Sequence, residues 1–171
     1  MSAYTPEVSG KLYITTNTDD KTTTLVDSAS FVTKPAGPGI AVSYVYSAGP
    51  TPSFTDDTDF KARQELVQQD RMPSFPSAGG SKAGLCTIAP NPNGEEGFMH
   101  RTNTLDYIYI TSGETEYATT DGEKKILKKG DVVVQRAGWH AWKNTSKTEE
   151  LILFAVAIGA EGATENFMEV L

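Results

Sequence analysis

The feature that most constrains this chain is a series of short segments rich in β-branched and aromatic residues, set at nearly even spacing between residues 85 and 158 with turn residues between them. Such spacing suits antiparallel strands wound into a sandwich or barrel, not helices. Residues 105–111 contain the alternation Tyr107-Ile108-Tyr109-Ile110. Asp121-Gly122 divides two strand-like segments, 114–119 and 123–127, and an Asp-Gly pair supplies the positive φ that a tight hairpin turn needs. This hairpin is expected at the surface, away from any site. Gly130-Asp131 opens the segment Val132-Val133-Val134, Gly138 marks the next bend, and 151–158 is a continuous apolar run. Its length fits a buried strand and falls well short of the roughly 20 residues that span a bilayer as a helix.

Ahead of this region, residues 11–16, 22–27 and 39–47 read as strands, separated by breaks at 17–20 and 34–39 that carry Asn, Asp, Pro and Gly. Residues 51–80 form an irregular, Pro-rich insert with a short helix over 58–69, whose apolar contacts are Phe60, Leu66 and Val67. The acidic run at 56–59 reads as a solvated loop and helix start. With 171 residues, a single domain over 1–171 follows: strands in 1–50 too few to fold alone, the insert, and a barrel core over 85–158. The apolar residues of Phe167-Met168-Glu169-Val170-Leu171 suggest that the C-terminal segment docks.

Charge narrows the partners. Fifteen Lys and Arg against 22 Asp and Glu give a net charge of −7, and no basic cluster exceeds the pairs Lys124-Lys125 and Lys128-Lys129. Nucleic acid and anionic membranes are therefore not expected partners, and a small molecule is. The first residues lack a basic start followed by an apolar stretch, so a cytoplasmic location is expected and the sequon Asn144-Thr145-Ser146 is expected to go unused. The single cysteine, Cys86, lies beside Leu85 and near Ile88 and reads as buried and inert. One Cys and two His rule out a Cys-rich structural zinc site.

Both histidines fall in the patterned half, within Gly94-x5-His100-Arg101-Thr102-x3-Asp106-x6-Gly113 and Gly130-x5-Arg136-Ala137-Gly138-Trp139-His140-x3-Asn144. These stretches resemble the two motifs of the cupin superfamily. More narrowly, residues 99–107, Ser112-Gly113-Glu114 and 135–144 resemble small single-domain cupins of fungi and bacteria, many encoded beside secondary-metabolite enzymes. The resemblance implies an all-β jelly-roll barrel of two facing antiparallel sheets and a homodimer, for which outward Tyr107 and Tyr109 supply aromatic surface. Thr102 stands where that pattern has a second His, and Asp106 where it has Glu. What remains is His100, Asp106 and His140, the composition of a facial triad able to hold Fe(II).

Residues at even separations share a face of a strand, so His100, Thr102, Asp106, Ile108 and Ile110 are expected on one face, with Arg101, Tyr107 and Tyr109 on the other. Arg101 is read as an ion-pairing surface residue. Thr102, Ile108, Ile110, Gln135, Trp139 and Trp142 are the candidate substrate-lining residues. Two catalytic readings follow. In the first, Asp106, its pKa raised among Ile side chains, works with His140 and His100 in acid–base chemistry without a cofactor: dehydration, isomerisation or decarboxylation of a carbonyl- or hydroxyl-bearing metabolite. In the second, the same three residues ligate Fe(II) in a dioxygenase. A third reading is a barrel that only holds a ligand.

Overall fold

The computed structural model describes residues 4–6, 8–17, 22–26, 30–54, 57–69 and 75–171. Most of the turn expected at 17–20 and the end of the strand expected over 22–27 lie outside these residues, as does Asp56. The elements follow one another as β1 (Ile14–Asn17), β2 (Thr23–Val26), β3 (Val32–Gly37), β4 (Ile40–Ala48), α1 (Thr58–Leu66), β5 (Ser81–Ile88), β6 (His100–Arg101), β7 (Thr104–Ser112), β8 (Glu114–Thr119), β9 (Lys124–Lys128), β10 (Val132–Arg136), β11 (His140–Asn144), β12 (Leu151–Gly159) and β13 (Glu169–Val170).

Two antiparallel sheets form the jelly roll: six strands in the order β10-β7-β12-β5-β4-β3, and five in the order β13-β6-β11-β8-β9. The pair β1-β2 stands as its own ribbon. Alternation decides which side chains enter. Along β7, Thr104, Asp106, Ile108 and Ile110 are buried while Tyr107 and Tyr109 are exposed. Ile108, Ile110, Leu151 and Leu153 make the closed end of the core, with Cys86, Leu127 and Trp142 against it. Each such Leu or Ile contributes about 1.5–3 kcal/mol by leaving water.

Local chemistry explains where the elements depart from expectation. The segment 34–39 is not a break: residues through Gly37 continue β3, and only Pro38-Gly39 turn the chain into β4. Pro35 is tolerated because β3 is the sheet edge, where a missing N–H costs no ladder bond, and the register slips between Pro35 and Gly37. The helix ends at Leu66, and the side chain it buries is Arg63. Its guanidinium donates to the Val45 carbonyl at 2.9 Å and lies over the Tyr44 ring, so a cation rather than an apolar stripe fastens α1 to β4.

At Asp121-Gly122 the hairpin forms as read, with Gly122 at φ +89° and the Asp121 carboxylate accepting from Thr119 Oγ1 and Glu123 N. The C-terminal segment docks on its own chain: β13 pairs with β6, and Leu171 N donates to Met99 O at 3.0 Å. Asn144 is buried, its amide facing the carbonyls of Ile88, Ala89 and Glu149, which makes it a brace rather than an attachment point. Among the described residues no helix is long and apolar enough to cross a membrane.

Candidate functional site

A row of inward residues crosses the six-stranded sheet. Ala157 of β12 lies opposite Lys82 of β5 on one side and Asp106 of β7 on the other, and Asp106 lies opposite Gln135 of β10. Neighbours across a ladder point to the same face, and Lys82, Ala157, Asp106 and Gln135 are all buried. One step deeper, Gly84, Ala155 and Ile108 make the next row. The small residues at the centre of both rows leave a cavity of about 260 Å³ between the sheets.

The facing sheet supplies the imidazoles. His100 of β6 and His140 of β11 are directly opposed partners, their rings 4.4 Å apart between centroids. Each ring donates its Nδ1–H to a backbone carbonyl: His100 to Phe98 at 3.2 Å, His140 to Gly138 at 2.9 Å. A carbonyl only accepts, so the proton sits on Nδ1 and Nε2 is left as a lone pair on each ring. Burial lowers the pKa of both, His140 to about 4, with His100 adding repulsion. Both are neutral at pH 7.

Asp106 has the opposite shift. Burial raises its carboxyl to about 6, against a smaller lowering by the Thr104 hydroxyl. Its Oδ1 is buried without a hydrogen-bond partner, an arrangement that costs on the order of 1–3 kcal/mol unless something else fills it. Thr102 Oγ1 and Thr104 Oγ1 bond to each other at 2.7 Å beside it.

His100, Thr102, Asp106, Ile108, His140 and Trp142 line the cavity, but not by one alternating strand. The ladder is interrupted at Thr102-Asn103, so His100 belongs to the five-stranded sheet and Asp106 to the six-stranded one. Ile110 lies outside the lining: it is fully buried in the closed core beneath Ile108. Trp139 faces the other way, one residue before inward His140, and carries the Arg101 guanidinium on its ring at 5.2 Å. Arg101 also pairs with Glu169, as expected of an outward residue. Gln135 is inward but committed, accepting from Tyr117 Oη and donating to the Gly138 carbonyl.

A three-ligand metal centre is not assembled from His100, Asp106 and His140. Among the described residues no three His, Cys, Asp or Glu side chains are grouped so that they could share an ion. The imidazoles are neighbours, whereas the carboxyl comes from the other sheet on a side chain one methylene shorter than Glu. Two nitrogen donors alone do not make the three-ligand set of a facial triad. Cys86 lines the cavity, and burial pushes its thiol up to about 12, so it stays protonated and inert.

Three contributors escaped the sequence reading. Lys82 lines the cavity yet sits where an irregular insert was expected to run into the core. Tyr117 stacks on His140 with ring centroids 5.9 Å apart; the strand assignment of 114–119 was right, and its inward face was the available signal. The third is the C-terminal segment, whose Asn166 and Met168 join the lining of the cavity. The Asp121-Gly122 turn is exposed but not remote, because Thr119 at its foot lies opposite His140.

Comparison with known proteins adds a common thread. The Cupin domain family matches residues 84–157. Oryzines biosynthesis cluster protein J of Aspergillus oryzae is 30% identical over 161 residues, covering 92% of this chain and 87% of that protein. Phomopsin biosynthesis cluster protein C' of Diaporthe leptostromiformis is 36% identical over 98 residues, 55% of this chain and 50% of that one. The Cupin-domain-containing oxidoreductase srdD of Neurospora crassa is 34% identical over 103 residues, 60% and 48% respectively. The chain thus spans about half the length of the last two. Among solved structures, the Schizosaccharomyces pombe Cnp3 cupin domain superposes with a TM-score of 0.50 at 14% identity, over 90% of this chain and 87% of that one, which is a likeness of fold.

Proposed function

The chain belongs to the cupin family and is related to proteins of fungal secondary-metabolite clusters, and from that premise we propose that it is an enzyme that moves protons on a small, largely apolar metabolite carrying carbonyl and hydroxyl groups. One observation carries this reading: a buried carboxyl with an unpartnered oxygen and a pKa near 6 lines the same cavity as two neutral imidazoles whose free ring nitrogens offer lone pairs.

A general base works best when its pKa lies near the working pH. Asp106, mostly ionised at pH 7, takes a proton from the carbon beside the substrate carbonyl. The Nε2 lone pairs of His100 and His140 accept hydrogen bonds from substrate hydroxyls and fix which carbon meets Asp106. The protonated Asp106 then returns the proton at a different atom of the enolate. Returned to carbon, the proton completes an isomerisation; delivered to a departing hydroxyl, a dehydration. If loss of CO2 from a substrate carboxylate generates the enolate instead, the fraction of Asp106 that carries a proton delivers it to carbon and completes a decarboxylation.

The test needs no knowledge of the natural substrate. A panel of hydroxy-carbonyl compounds is incubated with the protein in D2O, and deuterium at the carbon beside the carbonyl is read by mass spectrometry. Incorporation that disappears in Asp106→Asn supports the proposal. The names of srdD and of virC from Hypocrea virens favour a second reading, oxidation of the same compound. Oxygen uptake, or a product short of two hydrogens, with no deuterium incorporated, would establish that reading and sink the first.

The quaternary proposal is a homodimer through the outer face of β7 and β10. Val132 lies opposite Tyr109 and Val134 opposite Tyr107, and all four side chains are exposed. They form one apolar patch beside an edge strand, the kind of surface that a self-complementary two-fold contact buries.

A further inference from the structure

Lys82 takes no part in the proton transfer just described, yet among the described residues it is one of the few charged side chains that are buried. A buried ammonium persists only when paired and hydrogen-bonded. Its Nζ donates to the Phe75 carbonyl at 3.0 Å and to Glu165 Oε1 at 2.9 Å, which uses two of its three hydrogens. The partner is lopsided: the Lys82 side chain is 9% exposed and that of Glu165 62%. The cation therefore belongs to the cavity, while the carboxylate reaches it from the surface.

Position gives this cation a purpose. Lys82 and Asp106 flank Ala157 in one inward row, two interstrand spacings apart, or about 10 Å. On the sheet that carries them only Ala157 stands between the two, with Gly84, Ala155 and Ile108 in the row below, so no bulky side chain of that wall separates the two ends. The floor beyond is apolar, with Ile108 and Leu153.

We propose that Lys82 anchors a carboxylate at one end of the substrate, so that the ligand is an apolar hydroxy- or oxo-carboxylic acid lying along the trough from Lys82 to Asp106. The two ends work together. A ligand carboxylate is attracted to Lys82 and repelled by ionised Asp106, so only one orientation places the anion well. That orientation puts the opposite, uncharged end of the molecule among Asp106, His100 and His140, where the chemistry is. Glu165 competes for the same ammonium from outside and weakens the hold on the ligand. The inference borrows from the proton-transfer reading only the role given to Asp106.

Isothermal titration with 4-hydroxycinnamate and its neutral amide, 4-hydroxycinnamamide, tests the anchor. The carboxylate is expected to bind about tenfold tighter than the amide, the scale of a charge-assisted hydrogen bond. Lys82→Met should erase that preference while leaving amide affinity within about twofold. Glu165→Gln should tighten carboxylate binding several-fold. Equal binding of the two probes, no carboxylate binding at millimolar concentration, or a preference that survives in Lys82→Met overturns the proposal. Should Lys82→Met fail to fold, Glu165→Gln decides, since an unchanged carboxylate affinity in that variant is equally fatal. Asp106→Asn separates the two readings: it keeps the charge preference if the anchor is real, whatever happens to deuterium exchange.

Discussion

Gln135 and His140 converge on a single oxygen atom. Gln135 Nε2 donates to the Gly138 carbonyl at 2.8 Å, and His140 Nδ1 donates to the same carbonyl at 2.9 Å. The carbonyl fixes the tautomer of His140, and because Tyr117 Oη in turn donates to Gln135 Oε1, the carbonyl is itself held by a relay that begins on β8. Gln135 was expected to touch substrate; it is absent from the cavity lining and stands instead behind His140, which lines it.

Removing that support should misplace the ring without removing it. Gln135→Leu is expected to lower turnover on the order of tenfold through loss of orientation, while His140→Ala lowers it further. Nitrogen-15 shifts of the ring read the difference: a single Nδ1–H tautomer in the native protein, and a mixture in Gln135→Leu. An unmixed tautomer with unchanged turnover would show that the relay is idle.

Proton chemistry at the site also writes itself into stability. His140 is held at about 4 in the folded chain, below its ordinary 6.5, so its contribution is complete above pH 6.5 and is lost as pH falls toward 4. Proton NMR of the ring should therefore show no titration near 6.5. A midpoint at the ordinary histidine value would mean that the ring is solvated.

Asp106 has the reverse sign. Its carboxyl rises from 3.8 to about 6 on folding, so the folded state holds that proton more tightly and stability declines as pH rises from about 4 to 6. Asp106→Asn should raise the melting temperature at pH 8, by about 6–12 °C for about 3 kcal/mol in a chain of this length, and the gain should vanish below pH 4. The same variant exposes the histidine loss that Asp106 offsets, so its stability should fall more steeply than the native protein's between pH 6.5 and 4. Melting curves across pH 4–8 check both halves.

For the outer patch, Val132→Lys with Val134→Glu should convert a dimer to a monomer in multi-angle light scattering, with far-UV circular dichroism unchanged because both side chains are exposed on the protomer. A native protein that is monomeric at micromolar concentration would retire the dimer proposal.

Strand alternation made much of this molecule legible in its residues. The Tyr-Ile run of β7, the Asp121-Gly122 hairpin and the burial of Asp106 follow from period and turn chemistry alone. Pairing across strands did not, since no local pattern says that Lys82 and Asp106 share Ala157 as a neighbour. The same limit hid the seam at Thr102-Asn103: even spacing from His100 to Asp106 looks identical whether one strand continues or two sheets divide it. Trp139 was lost to the same arithmetic, since the inward parity of His140 turns its predecessor outward.

That seam has a mechanical consequence. Because the chain changes sheets between His100 and Asp106, the gap between imidazole and carboxyl is spanned by no strand ladder, only by side-chain bonds such as those of Gln135 and by how the two layers rest on each other. Any shear or breathing of one layer against the other alters that gap directly, while leaving every strand pairing intact. Pressure, which acts on internal void volume, bears on the same gap, so the barrel as a whole acts as the jaw that sets the distance between Asp106 and the two histidines.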